Sequence, residues 1–102
     1  MSLVHRQFLS YPHHDLPAIP VGWVDDSWHN DHCPSWIVGE YRDDLVKVYI
    51  DWPEVEARLS PSAMRYSVVL DYNSGDGVWE EFETFAEVRD YLKQFDITPY
   101  YP

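Results

Sequence analysis

Residues Asp25 to Trp36 read Asp-Asp-Ser-Trp-His-Asn-Asp-His-Cys-Pro-Ser-Trp, gathering two tryptophans, two histidines, the single cysteine and three aspartates into twelve positions. Metal binding is the first chemistry these types allow, since His29, Asp31, His32 and Cys33 are competent ligands and His13, His14 and Asp15 can join from upstream. Zinc needs three or four ligands converging in a tetrahedron at roughly 2.0–2.3 Å. A His-x-x-His pair with one adjacent cysteine lacks the paired Cys-x-x-Cys of a structural site, and neighbours His32 and Cys33 point apart in extended chain. Neither a bound metal nor a cofactor is expected.

Nucleophilic catalysis by Cys33 would need a histidine base and a third group to orient it. His13, His14 or His29 and Asp25, Asp26 or Asp31 are available for those roles. No cationic residue adjoins the thiol to lower its pKa, and Pro34 removes a backbone donor from any oxyanion hole there. Cys33 is expected instead to be an unreactive, small buried hydrophobe. The remaining chemistry is contact. Trp28 and Trp36 flank the polar stretch, and Trp and Tyr dominate interface hot spots. Five tryptophans and eight tyrosines exceed what a small core buries comfortably, so some belong on the surface. Trp28, His29, Asp31, His32, Cys33 and Trp36 are therefore the candidate binding residues. Trp23, Trp28 and Trp36 are nevertheless expected to be mostly buried and to pin the N-terminal segment to the fold, because a proline-rich segment with such large apolar groups in water would be an aggregation hazard.

Composition narrows the function. A chain of 102 residues suits one domain. With 45% apolar and 17% aromatic residues it has the material for a core. Eighteen acidic against seven basic residues give a formal charge of −11, which repels nucleic acid and anionic membrane and favours a basic protein as partner. The leading expectation is a non-enzymatic protein-interaction domain using the Trp28–Trp36 loop. The alternative is an acidic nucleic-acid mimic that occupies the basic groove of another protein. Against it, Asp43, Asp44, Asp71, Glu80, Glu81, Glu83, Glu87 and Asp90 are spread over hairpins and helix rather than aligned in one stripe. A small metal-dependent or cysteine enzyme ranks last. The acidic pairs Asp25-Asp26, Asp43-Asp44 and Glu80-Glu81 read as solvated surface, and the glycines at 22, 39, 75 and 77 form no phosphate loop. One cysteine makes no internal disulfide, the N-terminus lacks a signal-peptide pattern, and no apolar run approaches the eighteen or so residues of a membrane helix. A cytoplasmic protein without membrane contact is expected.

The elements that must position the loop follow from periodicity, and they predict an α+β domain. Residues 1–34 carry Pro12, Pro17, Pro20 and Pro34 without sustained period and read as an irregular arm anchored by Leu16, Ile19, Val21, Trp23 and Val24. A four-stranded antiparallel meander is expected over 35–83. Leu45 to Trp52 alternate cleanly, with Val46, Val48, Ile50 and Trp52 on one face and Leu45, Lys47, Tyr49 and Asp51 on the other. Trp36–Tyr41 is the hairpin partner through Arg42-Asp43-Asp44, residues 64–72 form a third strand, Asn73–Gly77 a loop and Val78–Glu83 a fourth strand. Pro53–Ser62 holds at most one helical turn. Thr84 and Glu87 match a capping box, and Phe85, Val88, Leu92 and Phe95 make one stripe of a helix over 84–95, followed by a tail over 96–102. Tyr49, Val69 and Trp79 would make the second face of the sheet adhesive, so a homodimer is a further expected outcome.

The string Ser27-Trp28-His29-Asn30-Asp31-His32-Cys33-Pro34-Ser35-Trp36 resembles a Trp-His-Asn-Asp-x-Cys-Pro-Ser-aromatic string of short uncharacterised bacterial proteins, some carried on plasmids or phages. It covers ten of 102 residues, and Trp36 stands where Phe is usual. The resemblance implies a bacterial cytoplasmic protein and brings no activity with it.

Overall fold

The alternating run at Leu45–Trp52 becomes the centre of the sheet. In the computed structural model, which describes residues 3–70, 72, 73 and 78–100 without the side chains of His5 and His13, six strands form one antiparallel sheet. They are β1 (Val24–Asp25), β2 (Ser35–Tyr41), β3 (Asp44–Ile50), β4 (Tyr66–Leu70), β5 (Val78–Phe82) and β6 (Thr98–Pro99). The order is β1-β2-β3-β4-β5, with β6 also on β2. Two helices accompany them, α1 (Leu3–Gln7) and α2 (Phe85–Leu92).

The expected meander is present as β2 to β5. Val46, Val48 and Ile50 of β3 and Tyr66, Val68 and Leu70 of β4 bury their side chains in one cluster with Trp36, and Val88 and Leu92 of α2 close it. Period two on the strands meets period three to four on the helix. The capping box forms as the sequence predicts: Glu87 N–H donates to Thr84 Oγ1 at 3.3 Å and Thr84 N–H to Glu87 Oε1 at 3.1 Å. The linker between the hairpins contains one 3₁₀ turn, Val55–Ala57. Beyond Asn73, the expected Asn73–Gly77 loop lies outside the described residues.

Among the described residues the strand count is six rather than four. β1 and β6 are two residues each, too short to show a period, and both lie along the outer edge of β2. They pair either side of an irregularity between Ile37 and Gly39. Pro99, in the expected tail, is tolerated there because an edge position needs no donor. A Cβ on Gly39 would collide with the Thr98 carbonyl oxygen and approach Ile97 Cγ2 to 2.8 Å, so this close crossing requires glycine.

The arm is also more ordered than its prolines imply. α1 sits at its start, a 3₁₀ turn at His13–Asp15 follows, and Val4, Phe8 and Tyr11 are buried in the main core. Their spacing of four and three residues is a short amphipathic stripe. Among the expected anchors, Leu16, Ile19 and Trp23 pack against the core, whereas Val21 is fully exposed beside Gly22, whose φ is +98°. Among the described residues no helix is long and apolar enough to cross a membrane.

β2 and β3 are joined by a two-residue turn in which Arg42 and Asp43 have φ of 52° and 63°. Positive φ at both positions matches the strand twist but favours Gly first, then Asn or Asp, over other residues. Asp43→Gly is expected to raise stability by on the order of 1 kcal/mol, and Gly39→Ala to lower it by roughly 1–3 kcal/mol through overpacking. Urea unfolding of the two variants beside the parent measures both.

Candidate functional site

The loop between β1 and β2 begins with a serine clasp. Ser35 N–H donates to Ser27 Oγ at 3.2 Å, Asp26 N–H to the Ser35 carbonyl at 2.9 Å, and Ser27 N–H to Asp25 Oδ1 at 3.1 Å. Asp25 Oδ2 also accepts from Val4 N–H at 3.2 Å, tying the arm to the same point. A turn closed by Asp31 N–H on the Trp28 carbonyl at 2.9 Å then forms the tip.

The six candidate residues scatter from this clasp. Trp28 is 49% exposed, against the expectation of burial, because it precedes the turn rather than taking a strand position; its ring packs at 4.2 Å on that of His29. His29 turns to α1, where Gln7 Oε1 accepts from its backbone N–H at 3.0 Å and from Nδ1 at 2.7 Å. His32 turns the other way: Nε2 lies 3.0 Å from the Ala57 carbonyl and 3.3 Å from Asp51 Oδ1. Both neighbours are acceptors, so Nε2 carries the proton. Cys33 and Trp36 are buried, Trp36 in the main core opposite Val48. Among the described residues no three His, Cys, Asp or Glu side chains converge as metal ligands.

Cys33 is placed for packing. Burial pushes its thiol pKa strongly upward, and the carboxylates of Asp51 and Asp31 add to the effect. The thiolate that a nucleophile requires is thereby suppressed at neutral pH.

The loop meets the second face of the sheet, where β3 supplies Lys47 and Tyr49, β4 supplies Ser67 and Val69, and β5 supplies Trp79. That face is less open than alternation implies. Val69 is buried, and the Lys47 side chain is only 2% exposed, its Nζ 2.9 Å from Asp26 Oδ2 and over the rings of Tyr72 at 4.4 Å and Tyr49 at 5.1 Å. A lysine so deeply placed needs this carboxylate and these aromatic faces to offset lost hydration. Trp79 remains 58% exposed while stacking on Tyr49, with centroids 5.6 Å apart and planes 22° from parallel.

Two hollows result, and Asp31 borders both. One, of about 240 Å³, is lined by Asp31, His32, Cys33, Tyr49, Asp51, Leu59, Ser67 and Trp79. The other lies among Leu3, Gln7, Asp26, Ser27, Trp28, Asp31, Lys47 and Tyr72. Tyr49 and Trp79, expected from the alternation to make the second face adhesive, do line this recess, whereas Asp51 and Leu59, which arrive from the end of β3 and the linker, carried no such expectation. The alternation that put Lys47, Tyr49 and Asp51 on one face was the available signal. What this arrangement offers chemically is a recess with aromatic walls and carboxylates, beside an exposed indole.

The raised Cys33 pKa has a sign. Above about pH 8.5 the unfolded chain releases a thiol proton that the folded chain keeps, so stability is complete below that pH and falls above it. The slope from this one group reaches at most about 1.4 kcal/mol per pH unit. Denaturant unfolding between about pH 7 and 10 should show the decline, Cys33→Ala should flatten it, and the native thiol should resist a thiol-specific reagent until the protein unfolds. No family model, curated protein or solved structure matches the chain.

Proposed function

We propose that the protein is a non-enzymatic interaction domain that engages another protein through the Trp28 tip of the loop and the adjoining second face of the sheet. The observation that carries this reading is the exposure of two tryptophans, Trp28 and Trp79, at hollows that share the Asp31 wall. Large indoles left in water at the mouth of a recess are what interface hot spots use, since desolvating them on contact yields area with little entropy loss. Trp36 and Cys33, being buried, shape the loop from beneath, while Trp28, His29, Asp31 and His32 meet the partner. The net charge of −11 makes a basic surface the better partner than a second copy, which it repels. Burial, which pushes the Cys33 thiol pKa up, and the occupied His32 Nε2 argue against a cysteine enzyme at this loop. The lone, buried Cys33 suits a reducing cytoplasm.

The test uses the salt response. Once a partner is captured, its affinity for the parent and for Trp28→Ala is measured from about 0.1 M to about 1 M salt, over which the Debye length shrinks from about 10 Å to about 3 Å. The contact reading expects weak salt dependence and a loss of about 2 kcal/mol or more on truncating Trp28. Affinity that collapses with salt and ignores the tryptophan would overturn it in favour of nucleic-acid mimicry.

A further inference from the structure

The hollow under Trp79 has a chemistry of its own. Its walls combine the stacked Tyr49 and Trp79 rings with the carboxylates of Asp31 and Asp51, and no lysine or arginine lines it. Asp51 is held in fixed direction: Oδ1 accepts from Trp52 N–H at 2.8 Å, Oδ2 from Leu59 N–H at 3.3 Å, and His32 Nε2 lies 3.3 Å from Oδ1. Asp31 has no ion-pair partner among the described residues. The buried cation on this face, Lys47, is committed to Asp26 and lines the neighbouring hollow. The recess is therefore negative and aromatic.

Resting on the interaction reading above, we propose that this hollow receives one arginine side chain of the partner protein. Each alternative class of occupant fits less well. An anion is repelled by two carboxylates and by the net charge of −11. A metal ion lacks a third ligand among the described residues. A cofactor or small-molecule substrate usually occupies roughly 300–1,000 Å³, more than the 240 Å³ here. A lysine ammonium is compact and strongly hydrated, whereas a guanidinium is planar, sheds water more readily, stacks on aromatic faces and donates two parallel hydrogen bonds to a carboxylate. Free arginine carries its own carboxylate into a site that already holds two, while an arginine within a polypeptide does not. Leu59, exposed beside the recess, and Trp28 beyond Asp31 give the rest of a partner something apolar to touch.

The experiment titrates the isotope-labelled full chain with an N-acetylated, C-amidated Ala-Arg-Ala peptide, its lysine and citrulline counterparts, and free arginine, following amide and indole N–H resonances. The arginine peptide is expected to shift the Trp79 indole and the amides of Asp31 to Cys33. The citrulline and lysine peptides and free arginine should each bind several-fold to tenfold more weakly. Trp79→Ala and Asp31→Asn, both at exposed or half-exposed positions and checked as folded by their amide spectra, should each weaken the arginine peptide about tenfold. Citrulline or lysine binding as well as arginine, shifts spread away from the hollow, or no shift with any peptide would overturn the proposal. Free arginine binding more tightly than the blocked peptide would also overturn it, pointing to a free amino acid as ligand. A captured partner that still depends on Trp28 while the arginine peptide fails removes this inference alone. Arginine binding at the hollow with a partner indifferent to Trp28 removes the loop reading instead.

Discussion

Asp51, the residue just past β3, is where the separate parts of the chain are fastened together. Its N–H donates to the Arg65 carbonyl at 2.7 Å, and its carbonyl accepts from Tyr11 Oη at 2.9 Å and Arg65 Nε at 2.8 Å. Its carboxylate holds the linker at Trp52 and Leu59 and the loop at His32. The arm, the loop, the linker and the entry to β4 thus meet on one residue that is only 7% exposed. Bonds made at such depth are modest in net strength but expensive to leave unmade, because an orphaned buried donor or acceptor regains no water. Arg65 extends the same knot to the Asp15 carbonyl at 3.3 Å, and Arg58 stitches the linker by donating to the Trp52 and Ala63 carbonyls at 2.8 and 3.0 Å.

The loop and the arm are attached by different forces. Val4, Phe8 and Tyr11 hold the arm by apolar burial in the core. The loop is held by polar contacts: the Lys47–Asp26 pair, the serine clasp, and His29 on Gln7. Since Asp26 is half exposed, solvent weakens that pair, and the loop tip belongs to the low-stability end of local opening. The Gln7 contact nevertheless links its motion to α1, as the Val4 bond to Asp25 does at the base of the loop, so disturbance of the arm reaches the candidate site.

Legibility in the sequence followed the length of each pattern. β3 announced itself because eight residues alternate without interruption, and α2 because its capping box and stripe agree. β1 and β6 were invisible, since two residues carry no period and their pairing is decided by the vacant edge of β2. α1 was hidden by the prolines after it, although Val4, Phe8 and Tyr11 already stood at helical spacing. At the site, composition located the loop but not the directions of its side chains. Trp28 and Trp36 are the same residue type with opposite fates, because one precedes a turn and the other occupies a core-facing strand position. His29 and His32 part company because Gln7 and Asp51, which bind them, lie 22 residues before the one and 19 after the other in the sequence.

β5 ends the sheet, and among the described residues nothing pairs with its outer side. Four of its five residues are exposed, and Phe82 is partly so. An open rim bearing Val78, Trp79 and Phe82 is the shape along which identical molecules grow into fibrils. Glu80 and Glu81 stand in the middle of it as gatekeepers. Their protection is collective and conditional, because near the sequence isoelectric point of about 4.5 the molecules lose the net charge that keeps them apart. The acidity of the chain therefore governs its colloidal behaviour, and replacing these two glutamates by neutral residues would favour self-association along this rim.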